Sequence, residues 1–268
     1  MPLPSLVDSH CHLDFPDFDG EHAAVVGRAA AAGVKRIVTI CTRLRQAPQV
    51  RAIAEAHDGV FWAAGTHPMH AAEEPLATVE ELLVLAAHPK FVGIGETGLD
   101  YHYTADSAAV QQESLRLHIE AARQTGLPLI IHARDADADI ARILSEEHAA
   151  GPFDCVMHCF TSGAALAETA LGLGFYLSIS GIATFRSAES LRAIFAAAPR
   201  DRLLVETDSP YLAPETHRGR RNEPAFVADT ARLMAGHLGV EPDAFAALTS
   251  ANFDRLFAKA RVAGGARP

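Results

Sequence analysis

The chain has 268 residues, 49% of them hydrophobic and 21% charged, which is enough apolar material for one large domain or two modest ones. Its formal net charge of −10 argues against a broad basic surface for duplex nucleic acid, although a phosphate ester could enter a site whose local charge is set by metal ions. The sequence contains no apolar run long enough to span a membrane and no secretory signal, so we expect a cytoplasmic protein without a membrane partner. It also contains no Cys-x-x-Cys pair, and we expect no disulfides.

A short apolar run, a turn and an Ala-rich helical segment recur from one end of the chain to the other. The apolar runs predict strands at 6–9, 35–40, 60–65, 91–95, 127–131, 155–157, 175–179 and 202–206. The segments rich in good helix formers predict helices at 21–32, 76–87, 108–124 and 188–198, a last barrel helix at 224–237 and closing helices within 243–260. Gly33, Gly126 and Gly174 stand where helices should end.

This alternation predicts a parallel sheet that is covered on both faces. Eight units in a chain of this length favour an α/β fold, a single (β/α)8 TIM barrel with its site at the C-terminal ends of the strands. A doubly wound open sheet is the competing architecture. The barrel is expected to span residues 1–262, followed by a flexible tail at 263–268 that is rich in Gly and Ala.

Two histidines close the first predicted strand. Because side chains alternate along a strand, His10 and His12 point the same way, about 7 Å apart along the backbone. They can converge on one metal ion if the chain bends there, whereas an ordinary strand-to-loop turn would give them no such role.

Acidic or imidazole side chains also follow other predicted strands. Glu96 follows the fourth, His132 the fifth, His158 the sixth and Asp208 the eighth. One such histidine alone would more often be structural, but a set gathered at one end of a barrel is costly unless something binds it. Four imidazoles and two carboxylates exceed one tetrahedral site and suit two divalent ions that share a carboxylate. Zinc, magnesium and manganese all remain candidates.

In its motifs the chain resembles the TatD family of metal-dependent deoxyribonucleases, which belongs to the amidohydrolase-like barrels. The matching motifs are DSHCH (8–12), GTHP (65–68), GETGLDY (95–101), LPLIIHAR (127–134), HCFT (158–161), ETDSPYL (206–212) and RGRRNEP (218–224). The resemblance implies that His10, His12, Glu96 and Asp208 hold one ion, and that Glu96, His132 and His158 hold the other. It also implies that His67 contacts phosphate.

The expected reaction is hydrolysis of a phosphodiester by a hydroxide that two divalent metals activate. Glu96 would bridge the ions, Asp208 would also accept the proton of the nucleophile, and His67 would stabilise the phosphate or assist the leaving oxygen. The resemblance implies that the preferred substrate is the end of single-stranded DNA, cut exonucleolytically from the 3′ side. We expect the protein to be a monomer. A turn residue before Pro68 is the simpler interpretation of His67.

Further substrate contacts are predicted at the same rim. Arg218 lies in a basic loop, 217–221, where Arg220 and Arg221 have no assigned role. Tyr101 could stack on an unpaired base, as could Phe160, although packing explains both equally well. Glu206 is expected to orient either a ligating histidine or the loop that follows it.

Two other functions fit parts of the sequence. A small-molecule amidohydrolase acting on a lactone, amide or phosphotriester would share the His-x-His opening and the closing aspartate, but many such barrels carry a modified lysine where Glu96 stands. A catalytically silent metal-binding protein is disfavoured only because no proposed ligand is missing.

Overall fold

The computed structural model describes Leu3 and residues 5–261. The tail predicted at 263–268 and the last residue of the predicted domain lie outside the described residues, as do Met1, Pro2 and Pro4.

Eight parallel strands pair in chain order, each with the next, to form a barrel. They are β1 Leu6–Cys11, β2 Val34–Cys41, β3 Val60–Ala64, β4 Phe91–Asp100, β5 Leu129–Arg134, β6 Cys155–Met157, β7 Tyr176–Ile179 and β8 Leu203–Val205. A parallel bridge between Cys11, the last residue of β1, and Ser209, in the segment after β8, closes the barrel. The predicted (β/α)8 barrel is therefore confirmed, and the open sheet is wrong.

Helices cover the outside of the barrel. They are α1 His22–Ala31, α2 Ala47–Ala56, α3 Val79–Ala86, α4 Tyr101–Thr104, α5 Ala108–Thr125, α6 Asp137–Ala150, α7 Ala164–Gly172, α8 Glu189–Ala197, α9 Val227–Leu238 and α10 Pro242–Leu256. Gly126 ends α5 with a left-handed conformation at φ 65°, as its position in the sequence predicted.

The apolar side chains form two layers. The larger layer lies between the strands and the helices and contains Trp62, Cys155 and Met157 among its members. The smaller layer contains inward strand residues such as Val92 and Val156, together with Phe253, Leu256 and Phe257 from the end of α10. Because these bulky side chains fill one end of the barrel, polar side chains on the strands can gather only at the opposite end, the mouth.

The four cysteines are all free within the part of the chain described by the structure. Cys155 packs in the outer layer as a small apolar side chain, as expected from the alternation along β6. Among the described helices, none combines the length and the apolar character that crossing a membrane requires.

Candidate metal centre

Two β-bulges aim the candidate ligands at the centre of the mouth. In β1, Ser9 and His10 together lie opposite one residue of β2, between the pairs Asp8–Ile37 and Cys11–Thr39. In β4, two residues likewise lie opposite one residue of β5, and one of the two is Glu96. A bulge adds one residue to a strand and turns the following side chains. The bend that convergence of His10 and His12 required is therefore present.

The strand β4 is longer than predicted, so Glu96 lies within it rather than at its end. Glycine permits the close packing of β4 on β5: a Cβ at Gly98, where φ is 137°, would lie 2.0 Å from the carbonyl oxygen of His132. Glu96, within the bulge, and Asp100, beyond it, both face the barrel interior. The long strand thus supplies two carboxylates to the mouth.

Glu96 lies at the centre of the cluster, and its two oxygens face different histidines. Oε2 lies 3.4 Å from Nε2 of His10 and 3.9 Å from Nε2 of His12. Oε1 lies 2.8 Å from Nε2 of His158 and 3.2 Å from Nδ1 of His132. Each oxygen of Glu96 thus faces its own pair of imidazoles.

Asp208 is held against β1 by the backbone. Its amide donates to the carbonyl of His10 at 2.9 Å, and the amide of His12 donates to the carbonyl of Ser209 at 2.8 Å. Oδ1 of Asp208 consequently lies 3.2 Å from Nε2 of His12 and 3.8 Å from Nε2 of His10. The structure therefore brings together all six predicted ligands, which come from or directly follow five different strands.

Two further carboxylates contact the ring nitrogens of His158 and His132. Glu206 lies 3.3 Å from Nδ1 of His158 and accepts a hydrogen bond from the amide of Cys159, so it contacts both the histidine and the loop. Asp100 lies 3.1 Å from Nε2 of His132, the nitrogen that does not face Glu96. Such partners fix the orientation of a ligating imidazole. The sequence reasoning missed this role of Asp100, although its even spacing from Glu96 along one strand was a usable signal.

The arrangement of buried nitrogens fits metal binding. Both ring nitrogens of His10 and both of His158 are buried without a well-formed hydrogen bond in the described chain, and the polar atoms nearest to three of them are the carboxylate oxygens of Glu96 and Glu206. Buried polar atoms without well-formed hydrogen bonds are costly, and a divalent ion between these imidazoles and carboxylates would satisfy them. Three groups have ligand atoms within 4.8 Å of one another, and the first two share His10: His10, His12 and Asp208; His10, His158 and Glu206; and His67, Glu96 and His132.

The charges of the cluster favour ionised carboxylates. Burial alone would raise the pKa of Glu96, but the imidazoles of His158 and His67 outweigh it and hold this pKa well below its usual range. Burial likewise opposes ionisation of Asp208, and its contact with His12 lowers the pKa again. Both carboxylates are therefore ready to bind cations.

His67 occupies a turn and also faces the cluster, so its two interpretations are compatible. Its Nδ1 accepts a hydrogen bond from the amide of Met69, and its Nε2 lies 3.3 Å from Oε1 of Glu96. Burial lowers the pKa of His67 to about 4, against the opposing effect of Glu96. The neutral ring thus carries its proton on Nε2 and presents an N–H toward the mouth.

A buried histidine on α5 positions the segment that carries His67. Nε2 of His118 accepts from the amide of Thr66 at 3.0 Å, while Nδ1 lies 2.7 Å from the carbonyl of Ser114 and donates to it. Burial lowers the pKa of His118 to about 4, so this contact exists only with the neutral ring.

We expect His118 to make the stability of the fold depend on pH. Its folded pKa lies below its unfolded value, so the stabilisation is complete above about pH 6.5 and is lost as the pH falls toward 4. This group alone should remove about 2 kcal/mol of unfolding free energy between about pH 7.5 and pH 5. Urea denaturation of wild type and His118→Gln should show a difference that shrinks over this range, with the exposed His237→Gln as the matched control. A difference that stays constant would contradict the prediction.

The cluster forms the floor of a cavity of about 310 Å³ at the mouth. Its lining includes the six predicted ligands except His10, together with His67, Asp100 and a rim of larger side chains: Phe15, Met69, Tyr103, Arg134 and Tyr211. Tyr101 is not among the lining residues, and its hydroxyl instead donates to Asp139 and contacts Gln112. A short helix, α4, begins at Tyr101, so helical rotation rather than strand alternation decides which way this side chain points.

The other predicted rim contacts also lie outside the cavity lining. Phe160 is buried among apolar side chains. Arg218 is exposed, lies 4.6 Å over the ring of Phe185 and pairs with Glu215. Arg221 pairs with Glu21. Arg218 and Arg221 of the basic loop thus contact neighbouring protein side chains rather than the cavity.

The fold and the site define a barrel hydrolase of the metal-dependent class, with a carboxylate–imidazole centre at its mouth. The profile of the family described as TatD related DNase matches residues 7–258. The chain therefore belongs to the TatD family of metal-dependent hydrolases.

Known proteins support this assignment. The chain is 47% identical over 257 residues to the uncharacterized metal-dependent hydrolase YcfH of Escherichia coli K12, with 94% of this chain and 95% of that protein covered. It is 32% identical to the 3′-5′ ssDNA/RNA exonuclease TatD of Citrobacter rodentium, with coverage of 94% and 97%. The crystal structure of YJJV, a TatD homologue from Escherichia coli K12, superposes with a TM-score of 0.88 at 29% identity, covering 94% of this chain and 98% of that one.

Proposed function

We propose that this hydrolase cleaves phosphodiester bonds at the ends of single-stranded DNA, from the 3′ side, with two divalent ions. The observation that carries the proposal is the position of Glu96, whose two oxygens face separate groups of imidazoles. A carboxylate placed in this way suits a two-ion site, and two-ion sites suit phosphodiester hydrolysis.

His10, His12 and Asp208 together with Glu96 would hold one ion, and His132 and His158 together with Glu96 would hold the other. Such ions would lower the pKa of a water molecule and neutralise phosphate charge. Glu206 and Asp100 would keep His158 and His132 in the orientations that ligation needs. Zinc, manganese and magnesium are the candidates for the metal.

The remaining roles belong to residues that line the cavity. Oδ1 of Asp208 lies near His12 and His10, so Oδ2 is the atom that would accept a proton from the attacking water. His67 would donate its Nε2 proton in a hydrogen bond to a phosphate oxygen. At the pKa of about 4 given by burial, its ring is neutral and acts as a hydrogen-bond donor rather than as a cation.

The shape of the mouth supports an unpaired strand end as the substrate. A duplex presents its phosphates on its outer surface, whereas the cluster lies at the floor of a cavity. The name of the Citrobacter relative, a 3′-5′ ssDNA/RNA exonuclease, agrees with this substrate.

Hydrolysis of end-labelled oligonucleotides tests the proposal. We expect metal-loaded protein to shorten single-stranded DNA from the 3′ end, to act far more slowly on duplex, and to leave closed circular DNA intact. Chelation should abolish the activity, because the carboxylates and imidazoles alone supply no strong nucleophile, and added zinc, manganese or magnesium should restore it.

Three outcomes would contradict the proposal. An unchanged rate after chelation would rule out the metal mechanism. Equal cleavage of closed circles would rule out the preference for ends. Hydrolysis of a lactone or phosphotriester without any cleavage of oligonucleotides would favour a small-molecule amidohydrolase instead.

A further inference from the structure

Two groups of side chains line the cavity on opposite sides of the mouth. Phe15 follows β1 and Tyr211 follows β8, while Tyr103 follows β4 and Arg134 ends β5. In a barrel whose eight strands pair in chain order, β1 and β8 are neighbours, and β4 and β5 lie four strands away on the far side. We call the first group the Phe15–Tyr211 wall and the second the Tyr103–Arg134 wall.

The Phe15–Tyr211 wall is anchored to the metal centre. The ring of Phe15 stacks on His12 with a centroid distance of 4.7 Å, and Tyr211 meets Phe15 edge-on at 5.8 Å. Packing on a candidate ligand fixes the height of this wall above the cluster. Tyr211 nevertheless remains 55% exposed, so a face of its ring is free for another planar group.

The Tyr103–Arg134 wall combines an aromatic ring with an unpaired cation. The guanidinium carbon of Arg134 lies 4.7 Å from the centroid of the Tyr103 ring. Within the described residues, Arg134 has no carboxylate partner, in contrast to Arg218 and Arg221. Among the residues lining the cavity, it is the one Lys or Arg.

The exposure of these rings is unusual within this molecule. In the described part of the chain, three large hydrophobic side chains are strongly exposed: Tyr103, Tyr211 and Val84. Two of the three therefore lie at the mouth, on opposite walls. Exposed aromatic rings that flank a polar site indicate a ligand with apolar faces.

Resting on the proposed function, we propose that the two walls hold the two bases that flank the scissile phosphodiester. One base stacks on Tyr211 and the other on Tyr103, and Arg134 binds a phosphate oxygen beside Tyr103. Because every base has a flat face, such stacking tolerates any sequence. It would also reject paired bases, whose faces are already covered within the duplex.

Oligonucleotides that lack a single base test this arrangement. An abasic residue replaces either the last or the penultimate nucleotide at the 3′ end, so that each of the two bases is removed in turn. For wild type, we expect each replacement to lower kcat/KM for the first cleavage by about 5- to 150-fold, the range for loss of one stacked base. Tyr211→Ala should lower kcat/KM on the unmodified oligonucleotide by a similar factor and lose its sensitivity to one of the two abasic positions. Tyr103→Ala should lose sensitivity to the other.

Two kinds of control keep the test specific. Val84→Ala removes exposed apolar surface outside the cavity and should behave like wild type. Tyr211→Phe and Tyr103→Phe preserve the ring and should each keep the sensitivity to an abasic position that the corresponding alanine variant loses. Metal content and unfolding free energy of each alanine variant should match wild type.

The proposal is overturned if wild type cuts abasic and normal ends equally fast. It is also overturned if the two alanine variants lower kcat/KM by the same factor on abasic and on unmodified substrates. Failure of the proposed function gives a different result, namely no cleavage of the unmodified oligonucleotide by metal-loaded wild type.

Discussion

Glu96→Gln should abolish both metal binding and turnover. The substitution keeps the shape of the side chain but leaves one neutral oxygen in place of a carboxylate that faces His10 and His12 on one side and His132 and His158 on the other. A neutral amide has one ligating oxygen and cannot bridge two cations as a carboxylate does. We expect the rate of phosphodiester hydrolysis to fall by roughly 1000-fold or more.

Elemental analysis of the purified variant and steady-state assays of the same sample measure the two effects together. Glu168→Gln, an exposed position on α7, makes the same chemical change away from the site and should be neutral. Full turnover by Glu96→Gln would show that Glu96 does not bridge ions.

Asp208→Asn should lower kcat by roughly 100- to 10,000-fold, the range expected when a positioned proton acceptor is lost. It removes the charge that faces His12 and His10 but leaves the contacts of Glu96 with His132 and His158 intact. We therefore expect the variant to retain one ion per chain, whereas Glu96→Gln retains neither.

The matched control is Asp201→Asn, since Asp201 precedes β8 at the opposite end of the barrel. Isothermal titration with manganese would count the ions that each variant binds. Loss of both ions from Asp208→Asn, or normal turnover with one ion, would contradict the division of the site into two parts.

Much of the fold follows from patterns that a sequence shows directly. Alternating apolar strands and Ala-rich helices predicted the barrel, because strands that are buried on both faces of a parallel sheet appear in the sequence as nearly continuous apolar runs. The bounds of the strands at the mouth were less predictable. Residues 96–100 carry Glu, Gly and Asp, which favour loops, yet packing against β5 keeps them in the strand β4.

The candidate ligands could be predicted because each follows an apolar run and belongs to a motif. The rim could not be predicted in the same way, since its side chains lie after the strands, where local turns set their direction. Tyr101 and Tyr103 illustrate this difference: both lie in α4, but the first contacts Asp139 and the second lines the cavity. Arg134 belongs to the motif LPLIIHAR at 127–134, but its position in this motif did not reveal its stacking on Tyr103.

The joining of β1 to the segment after β8 has a consequence for biosynthesis. His12 and Asp208 are 196 positions apart, so the part of the site that contains them is incomplete until the ribosome has synthesised residue 208. Glu96, His132 and His158 emerge much earlier and within a shorter stretch. A cation bound between His12 and Asp208 would therefore stabilise the closed barrel but no nascent fragment that ends before residue 208.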